Sequence, residues 1–243
     1  DMIFGGVGFM LGTGGSALVA KTLGEQDTDR ANRYFSMIIW VTVIVGAVLS
    51  VIGIAVIRPV SILLGADEGM LPDCVLYGSI MMGFTITFMF QNAFQAFLIT
   101  AERPSLGLAA TIAAGISNMV LDALFIAVFD WGVAGAAVAT GLSQCVGGVI
   151  PLIYFLRPNT SLLRLKRTKL EIRPIINACA NGASEMVSSV TSSVVGILYN
   201  LQLLQYAGEN GVASYGVLMY VQFVFAAIFL GYSMGSAPII SYH

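Results

Sequence analysis

Seven apolar runs dominate this chain, at 2–20, 34–57, 74–100, 105–129, 132–156, 174–206 and 212–242. Each reaches roughly the 20 residues that a helix needs to cross the hydrocarbon core of a bilayer. A helix satisfies its own backbone N–H and C=O groups, as a segment surrounded by lipid must. The expected fold is an all-α integral membrane protein, a polytopic helix bundle of seven spans. Charge content agrees: 10% of residues are charged and 57% hydrophobic, with a mean hydropathy of +0.87. A soluble domain sets about 25% charged residues against water. The basic residues form no aromatic-interleaved patch, so nucleic-acid binding is not expected.

Enzymatic readings fail on the residues themselves. From Gly15 the stretch GSALVAKT falls one glycine short of the phosphate-cradling pattern G-x-x-x-x-G-K-[ST], with Ala20 in the second glycine's place. A Cβ there obstructs the backbone nest that holds phosphate. Lys21 reads instead as a residue snorkelling to the membrane interface. The lone histidine, His243, is the last residue, which removes Ser-His-Asp and Cys-His arrangements. Cys74, Cys145 and Cys179 lie far apart without a C-x-x-C pair, against a disulfide framework or a metal centre. No enzyme activity and no cofactor are expected. The chain enters apolar sequence directly from Asp1 and stops at SYH, so a fragment of a longer membrane protein is expected, with no separate signal peptide.

Short loops with turn signals separate the runs: Glu102-Arg103-Pro104, Asp130-Trp131-Gly132 and Gly208-Glu209-Asn210-Gly211. The exception is 157–173, RPNTSLLRLKRTKLEIR, a basic linker long enough to join two halves. Alternating loops place Lys21, Arg30, Arg33, Arg103, Arg157, Arg164, Lys166, Arg167, Lys169 and Arg173 on one side, and only Arg58 on the other. Lys and Arg accumulate in cytoplasmic loops. Loops 21–33, 101–104 and 157–173 are therefore expected to face the cytoplasm. Gly132/Ala136, Gly135/Ala139 and Ala137/Gly141 are small-x-x-x-small pairs that let helix backbones approach in lipid. Pro151 and Pro238 fall within apolar runs and are expected to kink or break their helices.

Of 13 acidic residues, Asp122 and Glu185 sit well inside runs. A carboxylate at the bilayer centre costs about 2.5–3.5 kcal/mol on insertion scales. No Lys or Arg lies at similar depth, which leaves protonation or a bound cation. Thr111, Gly115, Asn118 and Asp122 share one helical stripe, and Asn181, Glu185, Ser188, Ser189 and Ser192 share another. Such oxygen-rich stripes can ligate a small hard cation or relay a proton. Equally, Ser and Asn residues bond across helices without further role. The run 74–100 carries Tyr77, Met81, Thr85, Phe88, Asn92 and Gln95 along one face, and the last run adds Tyr215, Met219, Tyr220, Phe223 and Phe225. Aromatic and methionine surfaces suit apolar cations, and they also suit ordinary cores. With Ser188 and Ser192, the residues Met81, Phe88, Asn92, Gln95, Met219 and Tyr220 form a candidate substrate cavity.

Four stretches resemble the multidrug and toxic compound extrusion (MATE) transporters, in their MepA-like bacterial branch: GTGGSALVAKTLGEQDTDRAN, AERPSLGLAATIAAGISNMVLDALFIAVFDWGVAGAAVATGLSQ, GASEMVSSVTSSVVGILYN and LGYSMGSAPIISYH. The resemblance covers nearly the whole chain. It implies two six-helix lobes, with this chain carrying helices two through eight. The first lobe, without its opening helix, would be 1–156, the cytoplasmic linker 157–173, and the start of the second lobe 174–243. It further implies that Asn118 and Asp122 take up the coupling H+ or Na+, with Thr140 and Tyr77 as hydrogen-bonding neighbours and Asp122, Asn118 and Thr140 as the Na+ oxygens. Glu185 matches an acidic residue used on the seventh helix by some branches. The family's acidic residue on helix one would precede Asp1.

These observations lead to an expected secondary antiporter, monomeric in a bacterial cytoplasmic membrane, exporting amphipathic and often cationic drugs against H+ or Na+. A lipid-linked precursor flippase of the same superfamily should carry arginine deep in its cavity, and these runs carry none. A seven-helix retinal protein needs a lysine in its last span, and 212–242 has none.

Overall fold

The computed structural model describes residues 2–63, 68–157, 161–166 and 168–242. Its regular structure is helical: α1 (Met2–Gly24), α2 (Thr28–Leu63), α3 (Leu71–Gly83), α4 (Thr85–Thr100), α5 (Pro104–Asp122), a π-helical segment (Ala123–Val128), α6 (Gly132–Leu156) and α7 (Ile172–Tyr242). Among the described residues, four helices are long and apolar enough to cross a membrane: Thr28–Leu63, Pro104–Val128, Gly132–Leu156 and Ile172–Gly208. The α3–α4 pair, bent by 51°, makes a fifth. The remaining two runs are also helical, as the 23-residue α1 and as the shorter apolar stretch Ser214–Phe229 of α7. The protein is thus an all-α polytopic bundle.

Helix breaks do not fall where proline suggested. Helix α6 runs unbroken through a buried Pro151, and α7 continues through Pro238. The breaks are at Phe84, at the π-helical segment and at Gly208. Residues 74–100, read as one span, bend at Phe84, whose N–H turns back to Met81 O at 3.1 Å. The bend is held from both sides. Ser50 of α2 donates its hydroxyl to Met82 O at 2.6 Å. The Phe84 ring fills the notch that Gly141 leaves on α6, where a Cβ would collide with it. At Gly208 the backbone takes φ 63°, ψ −163°, open to glycine and strained for a side chain.

Two compact units emerge, Asp1–Ser193 and Val194–His243. In the first, the core gathers at the end that the basic loops assign to the cytoplasm. Phe35 of α2 sets its ring 4.9 Å from Phe97 of α4 and 4.8 Å from Phe155 of α6. All three are fully buried, with Leu11 and Val19 of α1 beside them. Along α1, glycines let backbones touch. A Cβ on Gly14 would strike the Ala178 carbonyl of α7 and come within 2.8 Å of Gly182 N, while one on Gly182 would strike Met10. In the second unit, the Tyr199 and Tyr215 rings stack 5.4 Å apart on either side of Gly208.

The linker is not a free tether. Arg164 N–H donates to Asn32 Oδ1 at 2.6 Å, Lys166 N–H to Ser36 Oγ at 2.8 Å, and Glu171 N–H to Met37 Sδ at 3.4 Å. Leu163 is 0% exposed in the phenylalanine core. Asn32 and Ser36 stand one helical turn apart on α2 and are themselves buried. Replacing Asn32 by Ala removes the Oδ1 acceptor of the Arg164 N–H, at about 0.5–1.5 kcal/mol for an ordinary hydrogen bond. The expected outcome is faster amide exchange at 163–166 with the helices unchanged, read by hydrogen–deuterium exchange.

Candidate functional site: the α5–α6 hairpin

Helix α5 starts at Pro104, whose fixed φ suits a first helical position. Its return partner α6 lies antiparallel, and the two helices meet at both ends. Near the turn, a Cβ on Gly135 would lie 3.1 Å from Phe125, whose ring stacks 5.1 Å from Trp131. Near the far end, Gly107 and Thr111 of α5 line one crevice with Gly147 and Pro151 of α6. Counting inward from Thr111 and Gly147 sets Asn118 near Thr140, counting from Phe125 and Gly135 sets it nearer Leu142, and Asp122 lies one turn closer to the hairpin turn. Of the small residues in the predicted pairs, Gly135 is buried against Phe125, Ala137 and Ala139 are buried on α6, and Gly141 receives the Phe84 ring.

Asp122, Asn118 and Thr140 are each half-buried. Asn118 Nδ2 is shut off from solvent and has no hydrogen-bond acceptor, and the Oε1 of buried Gln144, one turn from Thr140, has no donor. Buried amides rarely stay unpaired, because each costs about 1–3 kcal/mol. Asp122 is also where the α-helix gives way to π-helix, with Phe129 N–H reaching Leu124 O at 3.0 Å. A π-turn shifts the hydrogen-bond ladder by one residue and re-aims neighbouring groups, and such turns recur at functional sites. A carboxylate and an amide on one stripe of α5 thus adjoin an irregular backbone turn, and the neighbouring α6 carries a hydroxyl at Thr140. Those are the groups needed to hold a proton or a small hard cation.

Depth differs from expectation. At about 1.5 Å per residue, Asp122 lies roughly 27 Å from Pro104 and only about 9 Å from the outer end at Val128. It stands in the last third of its helical span. Asp122 has no ion pair among the described residues; those of Arg30 with Glu25 and of Lys166 with Asp29 lie at the end that carries the basic loops.

Other predicted residues scatter. Glu185 is exposed on α7, with no hydrogen bond or ion pair to the hairpin among the described residues. Its stripe-mates Asn181, Ser188 and Ser192 are exposed too, while Ser189 turns toward Gly6 of α1. Tyr77 is 37% exposed on α3, which packs on α2 and α6. The face Met81–Phe88–Asn92–Gln95 spans the bend at Phe84 and meets different neighbours along its length. Met81 is a buried residue, Phe88 and Asn92 meet Gly5 of α1, and Gln95 Nε2 donates to Thr111 Oγ1 of α5 at 3.2 Å. Met219 is half-buried and Tyr220 is 78% exposed in the second unit. Sequence reading missed Gln91, which packs on Gly147, and Gln144. Their signal was available, as amides in the middle of apolar runs.

The family model MatE matches residues 1–124, which include Tyr77, Asn118 and Asp122. The chain belongs to the MatE family. Relatives agree with that membership along the rest of the sequence. "Multidrug export protein MepA" of Staphylococcus saprophyticus is 29% identical over 98% of this chain and 53% of its own length. The Staphylococcus haemolyticus protein of the same name is 27% identical over 97% and 52%. This MatE chain thus spans about half the length of the curated relatives it matches. Among solved structures, the inward-facing conformation of a multidrug resistance MATE family transporter of the MOP superfamily aligns with a TM-score of 0.84 at 20% identity, over 92% of this chain and 51% of that one. The outward-facing conformation gives the same TM-score and identity over 95% and 51%.

Proposed function

We propose that the chain is the ion-coupling half of a secondary antiporter in a bacterial cytoplasmic membrane. The antiporter would export amphipathic, often cationic compounds in exchange for inward H+ or Na+ and act as a monomer. In this reading Asp122 takes up the coupling ion, as a proton on its carboxylate or as Na+ shared with Asn118 and Thr140 oxygens. The observation that supports it is the α5 stripe, in which Asn118 carries a buried, unpaired Nδ2 one turn from Asp122, a carboxylate without an ion pair among the described residues. The relatives' name, multidrug export protein, supports the substrate class.

Linkage supplies the mechanism. If ion and drug favour different conformations, each weakens the other's hold by the same factor. A membrane potential adds about 2.3 kcal/mol per charge per 100 mV. Glu185 joins the scheme as a second carboxylate on α7, distinct from the hairpin group.

The test uses vesicles containing the full-length protein, driven by a pH gradient or a sodium gradient separately. One of the two gradients is expected to drive substrate movement. Equal movement with neither gradient would end the antiport reading.

A further inference from the structure

Beside the cytoplasmic end of α2, the docked linker closes a pocket that the transport reading does not use. It has a volume of about 240 Å3, with Arg30, Arg33 and Tyr34 on the α2 side and Thr168, Lys169 and Glu171 on the linker side. Both walls are held in place. The linker wall follows from the backbone bonds to Asn32, Ser36 and Met37. On the α2 wall, Arg30 Nε donates to the Tyr34 hydroxyl at 2.8 Å, and the Arg30 guanidinium lies 5.3 Å from the Tyr34 ring centre.

Charge in this pocket is unbalanced. Three cations face one carboxylate, Glu171. Nearby acids are otherwise engaged: Lys166 Nζ lies 2.5 Å from Asp29, and Asp27 Oδ1 accepts the Arg30 N–H at 3.0 Å as a helix cap. Arg30 keeps only a 3.9 Å approach to Glu25. Arg33 and Lys169 have no ion pair among the described residues. Arg30 and Arg33 also occupy the first two turns of α2, where the positive end of the helix dipole already opposes cations. An anion between the walls relieves both strains. Guanidinium forks match phosphate oxygens, with lysine as a point charge beside them. The apolar run of α2 begins at Tyr34, which sets the pocket at the level of the cytoplasmic lipid headgroups.

We propose that this pocket binds a phosphate group, carried by an anionic lipid headgroup or by a free anion, through Arg30, Arg33 and Lys169, and that its occupancy pins the linker to α2. The proposal stands apart from the coupling site and does not require transport.

The experiment uses the full-length protein in neutral-detergent micelles and measures proteinase K cleavage within 157–173. Micelles with phosphatidylglycerol should slow cleavage by about tenfold or more relative to phosphatidylcholine. The double variant Arg33→Gln/Lys169→Gln should lose that protection, Arg33→Lys/Lys169→Arg should recover it, and Lys21→Gln should leave it intact. Protection by inorganic phosphate without lipid assigns the site to a free anion; protection by phosphatidylglycerol alone assigns it to the headgroup. Equal cleavage in all three conditions overturns the proposal, and so does protection that survives Arg33→Gln/Lys169→Gln.

Discussion

Asparagine at position 122 is expected to abolish gradient-driven export by the full-length protein while leaving its abundance in the membrane unchanged. The substitution keeps the shape of a half-buried side chain and removes only the ionisable oxygen. Folding should tolerate it, since no ion pair is lost. Coupling should not. An effector coupling of about 1–3 kcal/mol corresponds to about 5- to 150-fold in affinity, and all of the part due to Asp122 vanishes. The measurement is drug accumulation in vesicles under an imposed gradient, with protein quantified by immunoblot. Unaltered export would remove Asp122 from the mechanism. The neighbours should grade downward: Asn118→Ala and Thr140→Ala each delete one proposed neutral oxygen ligand, so each is expected to weaken export without stopping it.

The largest expected structural effect is at Gly14. A Cβ there meets the Ala178 carbonyl and Gly182 N, both backbone, and neither can rotate aside as a side chain tip would. Overpacking a core usually costs about 1–3 kcal/mol through rotamer shifts. With α1 and α7 in backbone contact, Gly14→Leu requires the helices to separate, so a loss of at least about 3 kcal/mol is expected. Gly115→Ala supplies the contrast. Nothing lies within 4 Å of its Cβ position in the middle of α5. Alanine there is expected to be neutral or to stabilise by up to about 1 kcal/mol, because glycine is the poorer helix former. Thermal unfolding in detergent compares the two, and similar midpoints would contradict the close approach of α1 and α7.

Much of this was legible in the sequence because lipid permits few solutions. Long apolar runs had to be helices, and Gly135, Ala137, Ala139 and Gly141 had to lie in seams. Asn118 and Asp122 were readable as one stripe, since four residues on a helix return to the same face. What stayed hidden depends on partners distant in sequence. The bend at Phe84 has no proline to announce it; it rests on Ser50 and on the notch at Gly141. Pro151 announced a break that the bundle absorbs. The linker looked like a solvated basic loop, because Asn32 and Ser36 read as ordinary polar residues at the start of a helix until Arg164 and Lys166 are found donating to them. Glu185 looked equivalent to Asp122 by composition, yet the structure leaves it exposed and separate from the hairpin group. Periodicity gives a residue's face; it does not say which neighbour that face will meet.

The proposed competition between ion and drug at Asp122 can be measured directly. Purified full-length protein in weakly buffered, sodium-controlled detergent solution is mixed with a tightly bound substrate while released H+ and Na+ are recorded. About one ion should leave per substrate bound by the wild-type protein, and none by Asp122→Asn. Substrate binding without ion release in the wild type, or equal release by the variant, would contradict the account.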